Sequence, residues 1–511
     1  MKILSAYNRL IILSVVLAYA FMGGHAQSAD HRFEGRRGCR PASMHGGHSN
    51  QFLRAKSSGD AANKFVGQRR QLTVLAAFND KQFLGDEQAT LLQWDKIFNA
   101  ENYNEEPFVG SVSDYFRDQS YNQFDIKFDL LYVALEQPCS RYRSTSTNDE
   151  NSQFLVNDIM DALLNRDIDW SQYDWDGDGF IDQLLIVYAG KGMNDGGDRN
   201  TIWPHQSWLT EHTDVRTGEK LKPRTVDYDG KVYSVDCYCA VQEISGKGTY
   251  GTFGTICHEF SHCFGFPDIY YGEYSYVYDW DLMDSGNFNG NGFCPPGYSA
   301  QERMLMGWLT PVELTEASSI EEMAALGDEP MAYIIRNDGH TDEYYILENR
   351  QQKGWDKELP SSGLLVLHVD YYHDEWTGIS YSPNIPANYW NGYAEQKHYY
   401  IIPANNSPYL NRYTLQEWPY PYRENNMLTN TSTPAAMVYN ENADGSLFMS
   451  KPLTNIRVDN GLAAFDFMQA DDGICHTTPH IQTGKVIYEM GPIQFVRTDE
   501  GKVVKTIRPL K

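Results

Sequence analysis

Positive charge is in short supply. The 511 residues carry 42 Lys and Arg against 68 Asp and Glu, for a formal net charge of −26. So acidic a chain repels nucleic acid and anionic membrane surfaces, and neither is expected as a partner. Cysteine is sparse and unordered: the eight residues Cys39, Cys139, Cys237, Cys239, Cys257, Cys263, Cys294 and Cys475 form no C-x-x-C pair. No disulfide framework can be read from that spacing. No internal repeat and no low-complexity tract is present, which sets aside repeat arrays. Beyond the amino terminus no segment is long and apolar enough to span a bilayer.

What the chain does have is apolar and aromatic surface. Hydrophobic residues make up 41% and aromatics 14%, with 35 tyrosines and 11 tryptophans. That content rules out a disordered chain and suggests broad, aromatic-rich β surfaces, and the length accommodates two or more domains. Lys2 and Arg9 precede an apolar run from Leu10 to Met22, followed by Gly24-His25-Ala26 as a small-x-small cleavage site. Residues 1–26 therefore read as a signal peptide, and the protein is expected to be exported, whether to the medium, the cell surface or the periplasm. An uncleaved anchor is the alternative, but the run falls short of the roughly 20 residues a bilayer span needs. Residues 27–70 then hold nine Lys/Arg against three acids, a basic leader before a strongly acidic body. Opposite charge would let such a leader lie across an acidic face as its own inhibitor until cut near Arg69-Arg70, whereas the plainer reading is a solvated linker. Cys39 could hold a metal as a thiolate and keep the protein latent.

The most informative run is His258-Glu-Phe-Ser-His-Cys-Phe-Gly-Phe-Pro-Asp268. On a helix His258 and His262 share a face, so two imidazoles can grip one zinc ion while Glu259 projects beside an open position. Gly265 can take the left-handed conformation that turns the chain back, and Asp268 is then placed to supply a third ligand. A zinc-bound water, its pKa lowered by the metal and its proton taken by Glu259, would attack a peptide carbonyl. Downstream, Trp280-Asp-Leu-Met283 suits a tight turn beneath the metal, with Met283 packing there as any core methionine would. Tyr298 could donate to a tetrahedral intermediate or serve as a buried structural tyrosine. Cys257 and Cys263 flank the helix on nearly opposite sides and read as packing residues. His368 reads as a hydrogen-bonded core histidine.

A second candidate metal site is the loop Asp174-Trp-Asp176-Gly-Asp178-Gly-Phe180-Ile-Asp182. Carboxylates at alternate positions, with the carbonyl of Phe180 as a backbone ligand, suit a structural calcium ion. The pattern departs from an EF-hand because Leu185 stands where a bidentate Glu would be and a strand follows; the alternative is a metal-free Asp/Gly turn.

Periodicity predicts strands at 72–78, 124–130 and 183–189 and helices at 112–123 and 151–165, with the metal-binding helix at 254–264 and Ser299 as the cap of a further helix. After about Thr310 the pattern shifts to short strands, clearest at 344–349 and 363–370, and a last hairpin over 485–507 turns at Asp499-Glu500-Gly501.

Taken together, Gln71-Leu-Thr-Val-Leu75, Ser113 to Ser120, the acidic loop, Ile202-Trp-Pro-His205, the zinc motif, Trp280 to Met283, and Tyr345 to Arg350 through Asp370 resemble the immune inhibitor A-type family of secreted bacterial metallopeptidases, within the metzincin-like group. The resemblance implies that His258, His262 and Asp268 ligate zinc, that Glu259 is the base, and that proteins or peptides are cleaved internally. Many metzincins have a third histidine where Asp268 stands, although this family has aspartate. The implied fold is α+β: a metzincin-like zinc peptidase domain over 71–310, a β-sandwich-like accessory domain over 311–470, and a hairpin tail over 471–511 of unknown role. Such an enzyme would be made as a zymogen. Two readings of another class compete with it: a non-catalytic secreted binding protein with a structural zinc site, and a calcium-stabilised adhesion module. An intact Glu259 and an open coordination position argue against the first.

Overall fold

The computed structural model describes residues 65–144, 151–214, 217–270, 275–371, 397–407 and 411–469, together with three backbone strands between 484 and 507. The expected signal peptide, the leader up to residue 64 with Cys39, Cys475 and the turn at 499–501 lie outside the described residues. Strand β1 (Gly67–Ala77) begins at Gly67 rather than beyond Arg70. Arg69 and Arg70 are thus strand residues, in register with Ile126 and Lys127 of β2 (Phe124–Ala134), and the Arg70 guanidinium grips Asp129. The backbone at the expected cut is paired with β2 in the sheet.

Between these strands lie α1 (Glu87–Asn99), capped by Asp86, and α2 (Val112–Gln119), which opens on a reciprocal Ser111–Asp114 capping box. The second helix stops short of the expected residue 123, since Tyr121 and Asn122 adopt positive φ. Helix α3 (Ser152–Leu163) follows, then β3 (Phe180–Ile181), β4 (Leu184–Lys191), β5 (His205–Trp208), β6 (Arg224–Tyr228), β7 (Lys231–Val235) and β8 (Cys237–Ile244). The main sheet has the order β2-β1-β4-β8-β5, with the first four strands parallel and β5 antiparallel at the edge. Parallel neighbours need long crossovers, which the helices supply. Every residue of β8 is buried, as expected for a strand covered on both faces.

Helix α4 (Phe253–Ser261) packs across this sheet and continues as a single 3-10 turn, His262–Phe264. Phe260 meets Phe116 and Phe128, while Phe264 enters a cluster with Phe65, Phe124 and Trp308. The helix can sit where it does because Gly254 has no side chain: a Cβ there would lie 1.9 Å from the carbonyl oxygen of Asn287.

Helix α5 (Ala300–Leu305) closes this part, and Ser299 caps it as the sequence predicts, in a box with Glu302. Beyond it the chain is β-rich. Strands β9 (Val312–Glu313), β10 (Ser318–Met323), β11 (Tyr333–Asn337), β12 (His340–Arg350), β13 (Gly363–Asp370), β14 (Tyr399–Ile401), β15 (Leu453–Asp459) and β16 (Leu462–Phe467) form two sheets, β14-β13-β12-β11-β9 and β10-β16-β15. This region and the preceding one form one compact unit ending at Phe467. A buried charge network ties them: Arg350 holds Asp356 through two 2.7 Å bonds, Glu348 at 3.0 Å and the Gly297 carbonyl at 2.9 Å, while Glu348 also accepts from the Ala300 N–H at 2.6 Å. His368 on β13 is a core histidine, bonded to Glu343 at 2.7 Å and to Tyr400 at 2.8 Å.

The second unit contains β17 (Gly484–Met490), β18 (Ile493–Thr498) and β19 (Val503–Ile507), an antiparallel meander. The expected single hairpin over 485–507 is therefore three strands, because the chain already reverses between Met490 and Ile493, where the sequence Gly491-Pro492 punctuates it.

The close approach at Gly254 makes a testable demand. Gly254→Ala should destabilise the fold by about 1–3 kcal/mol through overpacking against the Asn287 backbone. Gly327→Ala, where nothing lies within 4 Å of the added carbon, should be near neutral. Denaturant midpoints of the two variants, measured side by side, check this; equal midpoints would refute the packing argument.

Candidate active site

The helix end sets the geometry. His258 in the last turn of α4 and His262 just beyond it place their rings 4.9 Å apart and nearly perpendicular, at 88°. Gly265 takes φ +92°, the left-handed conformation expected of it, and its N–H bonds back to the His262 carbonyl at 2.9 Å. The chain then returns so that Asp268 Oδ1 lies 3.1 Å from His258 Nε2 and 3.5 Å from His262 Nε2. Glu259 Oε2 is 4.0 Å from His262 Nε2, beside rather than among the three.

Each imidazole is locked from behind. His258 Nδ1 lies 2.8 Å from the Leu282 carbonyl, and His262 Nδ1 lies 2.7 Å from the Phe266 carbonyl. A carbonyl only accepts, so Nδ1 carries a proton in both rings, and Nε2 is the ring atom left facing Asp268. Although His258 Nε2 and Asp268 Oδ1 are close, neither finds hydrogen-bond geometry, and both are buried. Two donor atoms pointed at a common space rather than at each other are what a shared cation requires. Their 3.1–3.5 Å separations match the roughly 3.3–3.4 Å between ligand atoms of a tetrahedral ion with bonds of about 2.0–2.1 Å.

Electrostatics agree. Burial opposes a charged His258, yet the carboxylates of Asp268 and Glu259 outweigh it and raise the imidazole to about 9. The cluster is short of positive charge. His258, Glu259 and Asp268 are sealed from water, whereas the His262 side chain keeps 12% of its surface exposed and marks the side open to solvent.

Beneath the cluster, Met283 is fully buried in a turn whose carbonyl accepts from the Ile269 N–H at 2.9 Å, directly after Asp268. The Asp284 carboxylate gathers the N–H groups of Tyr276, Val277 and Tyr278 at 2.9–3.0 Å and fixes the chain leading into that turn. Tyr298 is buried on the other side of α4, its hydroxyl bonded to Ser261, which in turn donates to the Cys257 carbonyl at 2.6 Å. Tyr298 is therefore structural, and the oxyanion role weighed for it is not supported. Burial pushes the Cys257 thiol well up, in keeping with a packing role. Nothing in the motif points to the carbonyls of Leu282 and Phe266, or to Tyr270, whose ring lies over His258 with centroids 6.5 Å apart.

In the acidic loop, the structure brings Asp174, Asp176 and Asp182 together, with ligand atoms within 4.8 Å of one another. Asp178 stands outside that group, its Oδ1 accepting from the Phe180 N–H at 2.7 Å. Asp174 Oδ2 accepts from Gly179 N–H and from Lys231 Nζ at 3.0 and 3.1 Å, while its Oδ1 is buried with no hydrogen-bond partner.

Residues 79–306, which contain both clusters, match the family described as Immune inhibitor A peptidase M6, catalytic domain. The protein named Immune inhibitor A from Bacillus thuringiensis subsp. alesti is 23% identical over 300 residues, covering 50% of this chain. The match spans only 42% of that relative's length. Residues 79–306, which carry the buried His258–His262–Asp268 cluster with Glu259 at its side, are thus similar to the catalytic domain of the Immune inhibitor A peptidase M6 family.

Proposed function

We propose that the chain is an exported zinc-dependent endopeptidase. The observation that carries this reading is the convergence of His258, His262 and Asp268 on one point with Glu259 beside it. His258 and His262 would hold the ion through Nε2 and Asp268 through Oδ1. When bound, zinc supplies Lewis acidity toward a peptide carbonyl and lowers the pKa of water. Glu259 takes the proton of the attacking water and hands it to the departing amine, a role that suits a carboxylate held within reach of the cluster without belonging to it. The carbonyls of Leu282 and Phe266 hold Nδ1 of both imidazoles and keep the rings turned with Nε2 toward Asp268. Exclusion of water around His258 and Asp268 strengthens each of these interactions.

In this reading the four parallel strands with an antiparallel edge form a metzincin-like core, and the two later sheets form a sandwich-like accessory domain. Among the described residues no helix is long and apolar enough to cross a membrane, which is compatible with release after export. The basic leader would complement the acidic body and delay activity until removed. Asp174, Asp176 and Asp182 would hold a structural calcium ion, with Asp178 and the Phe180 carbonyl completing the loop; the orphaned Asp174 Oδ1 supports a cation there.

Glu259→Gln should retain bound zinc, measured by elemental analysis, while casein hydrolysis falls by about 10²–10⁴-fold. The parent protein should lose the same activity to 1,10-phenanthroline. Undiminished hydrolysis by the variant would sink the mechanism. For the acidic loop, calcium at about 100 times its dissociation constant should stabilise the fold by about 2.7 kcal/mol. Asp176→Ala should abolish that calcium-dependent rise in melting temperature and leave the melting temperature in chelator unchanged; a rise of equal size in the variant would remove calcium from the proposal.

A further inference from the structure

The β-rich region reaches the metal cluster through one short chain of hydrogen bonds. Tyr399, on the edge strand β14, is buried and donates its hydroxyl to Asp281 Oδ2 at 3.0 Å, across 118 residues of sequence. Asp281 Oδ1 accepts the Met283 N–H at 2.8 Å. The turn so fixed offers two consecutive carbonyls to the cluster: that of Leu282 faces His258 Nδ1 at 2.8 Å, and that of Met283 takes the Ile269 N–H at 2.9 Å, next to Asp268. Two of the three candidate ligands therefore depend on the register of a two-residue turn.

A small cavity lies at the junction, lined by Trp280, Asp281, Ser299, Glu348, Tyr399 and Leu367 among others. The charge of Asp281 is costly: burial pushes its carboxyl up to about 6, opposed chiefly by the Met283 N–H and the Tyr399 hydroxyl, while Asp284 adds repulsion. Without Tyr399, a buried carboxylate beside other acids would lose one of its two hydrogen-bond donors.

We infer that Tyr399 is a positioning residue for the metal site, acting through Asp281 and the Leu282–Met283 turn, so that the β-rich region helps to build the active site. The inference rests on the reading of His258, His262 and Asp268 as metal ligands. Such residues behind the ligands typically change metal affinity by about 10–100-fold when removed.

The test uses the full chain loaded with cobalt(II) in place of zinc. Two quantities are read: the rate at which a competing chelator strips the metal, and the visible absorption bands of the bound ion. Tyr399→Phe should release cobalt at least about tenfold faster than the parent and shift those bands. Tyr345→Phe is the control, because its buried hydroxyl donates to the Met437 carbonyl at 2.6 Å within the same region and touches nothing near the turn. It should release cobalt at the parent's rate even if it lowers the melting temperature equally. Should Tyr399→Phe not fold, Asp281→Asn offers the second arm: it keeps an acceptor for the Met283 N–H but loses the charge Tyr399 serves, and should fall between the parent and Asp281→Ala. Parent-like release and spectra for Tyr399→Phe, or equal acceleration in the Tyr345→Phe control, would overturn the inference while leaving a zinc-dependent parent intact. A parent that takes up no cobalt at all would overturn both this inference and the peptidase reading beneath it.

Discussion

Glu259 and Asp268 are two carboxylates sealed from water beside two imidazoles, and that arrangement is costly unless a cation shares the space. Desolvating an ion costs several kcal/mol even after relaxation, and a like charge nearby adds to it. The two acids raise the proton affinity of His258 against its burial. The surrounding structure keeps the donors in place rather than letting them find other partners. Carbonyl groups occupy both Nδ1 atoms, a left-handed glycine returns Asp268 to the helix end, and a buried turn lies beneath.

That arrangement needs a rigid base, which the sheet provides. Helix α4 lies against fully buried β8, pinned by an aromatic cluster running from Phe65 to Trp308. The bare Cα of Gly254 lets the segment around Asn287 come within contact of the helix, and that segment continues from the turn carrying Met283. Candidate ligands, turn and helix are therefore packed against one another. A loose assembly of the same residues would hold a metal poorly, since ligand positions must be kept to within a fraction of an ångström.

The clustering of His258, His262 and Asp268 was legible because its geometry is local. Histidines four apart on a helix, a glycine that must adopt positive φ and an aspartate three residues later are all fixed by backbone geometry within eleven residues. The acidic loop was legible for the same reason, though only Asp174, Asp176 and Asp182 converge while Asp178 turns to cap its own backbone, a competition that short polar side chains often win. What could not be read is non-local or carried by the backbone. The Leu282 and Phe266 carbonyls have no side-chain signature, and the Asp281–Tyr399 bond joins positions 118 residues apart. Element boundaries also moved: Arg69 and Arg70 look like a processing site in composition but pair with β2 as strand residues, and two residues at Gly491-Pro492 suffice to turn one expected hairpin into three strands.

The same non-local contacts bear on whether the β-rich region is a separable module. Arg350 and Glu348 lie on β12, yet their partners include the Gly297 carbonyl and the Ala300 N–H, at the start of the helix that closes the catalytic part. Separating the chain at Thr310 would unpair Arg350 and Glu348 from those backbone groups and strip Asp281 of its tyrosine. Each buried polar group left unpaired costs about 1–3 kcal/mol, against a whole stability of about 5–15 kcal/mol for an ordinary domain. The β-rich sheets thus pack with the preceding region as one compact unit ending at Phe467, although the sequence changes character near residue 310.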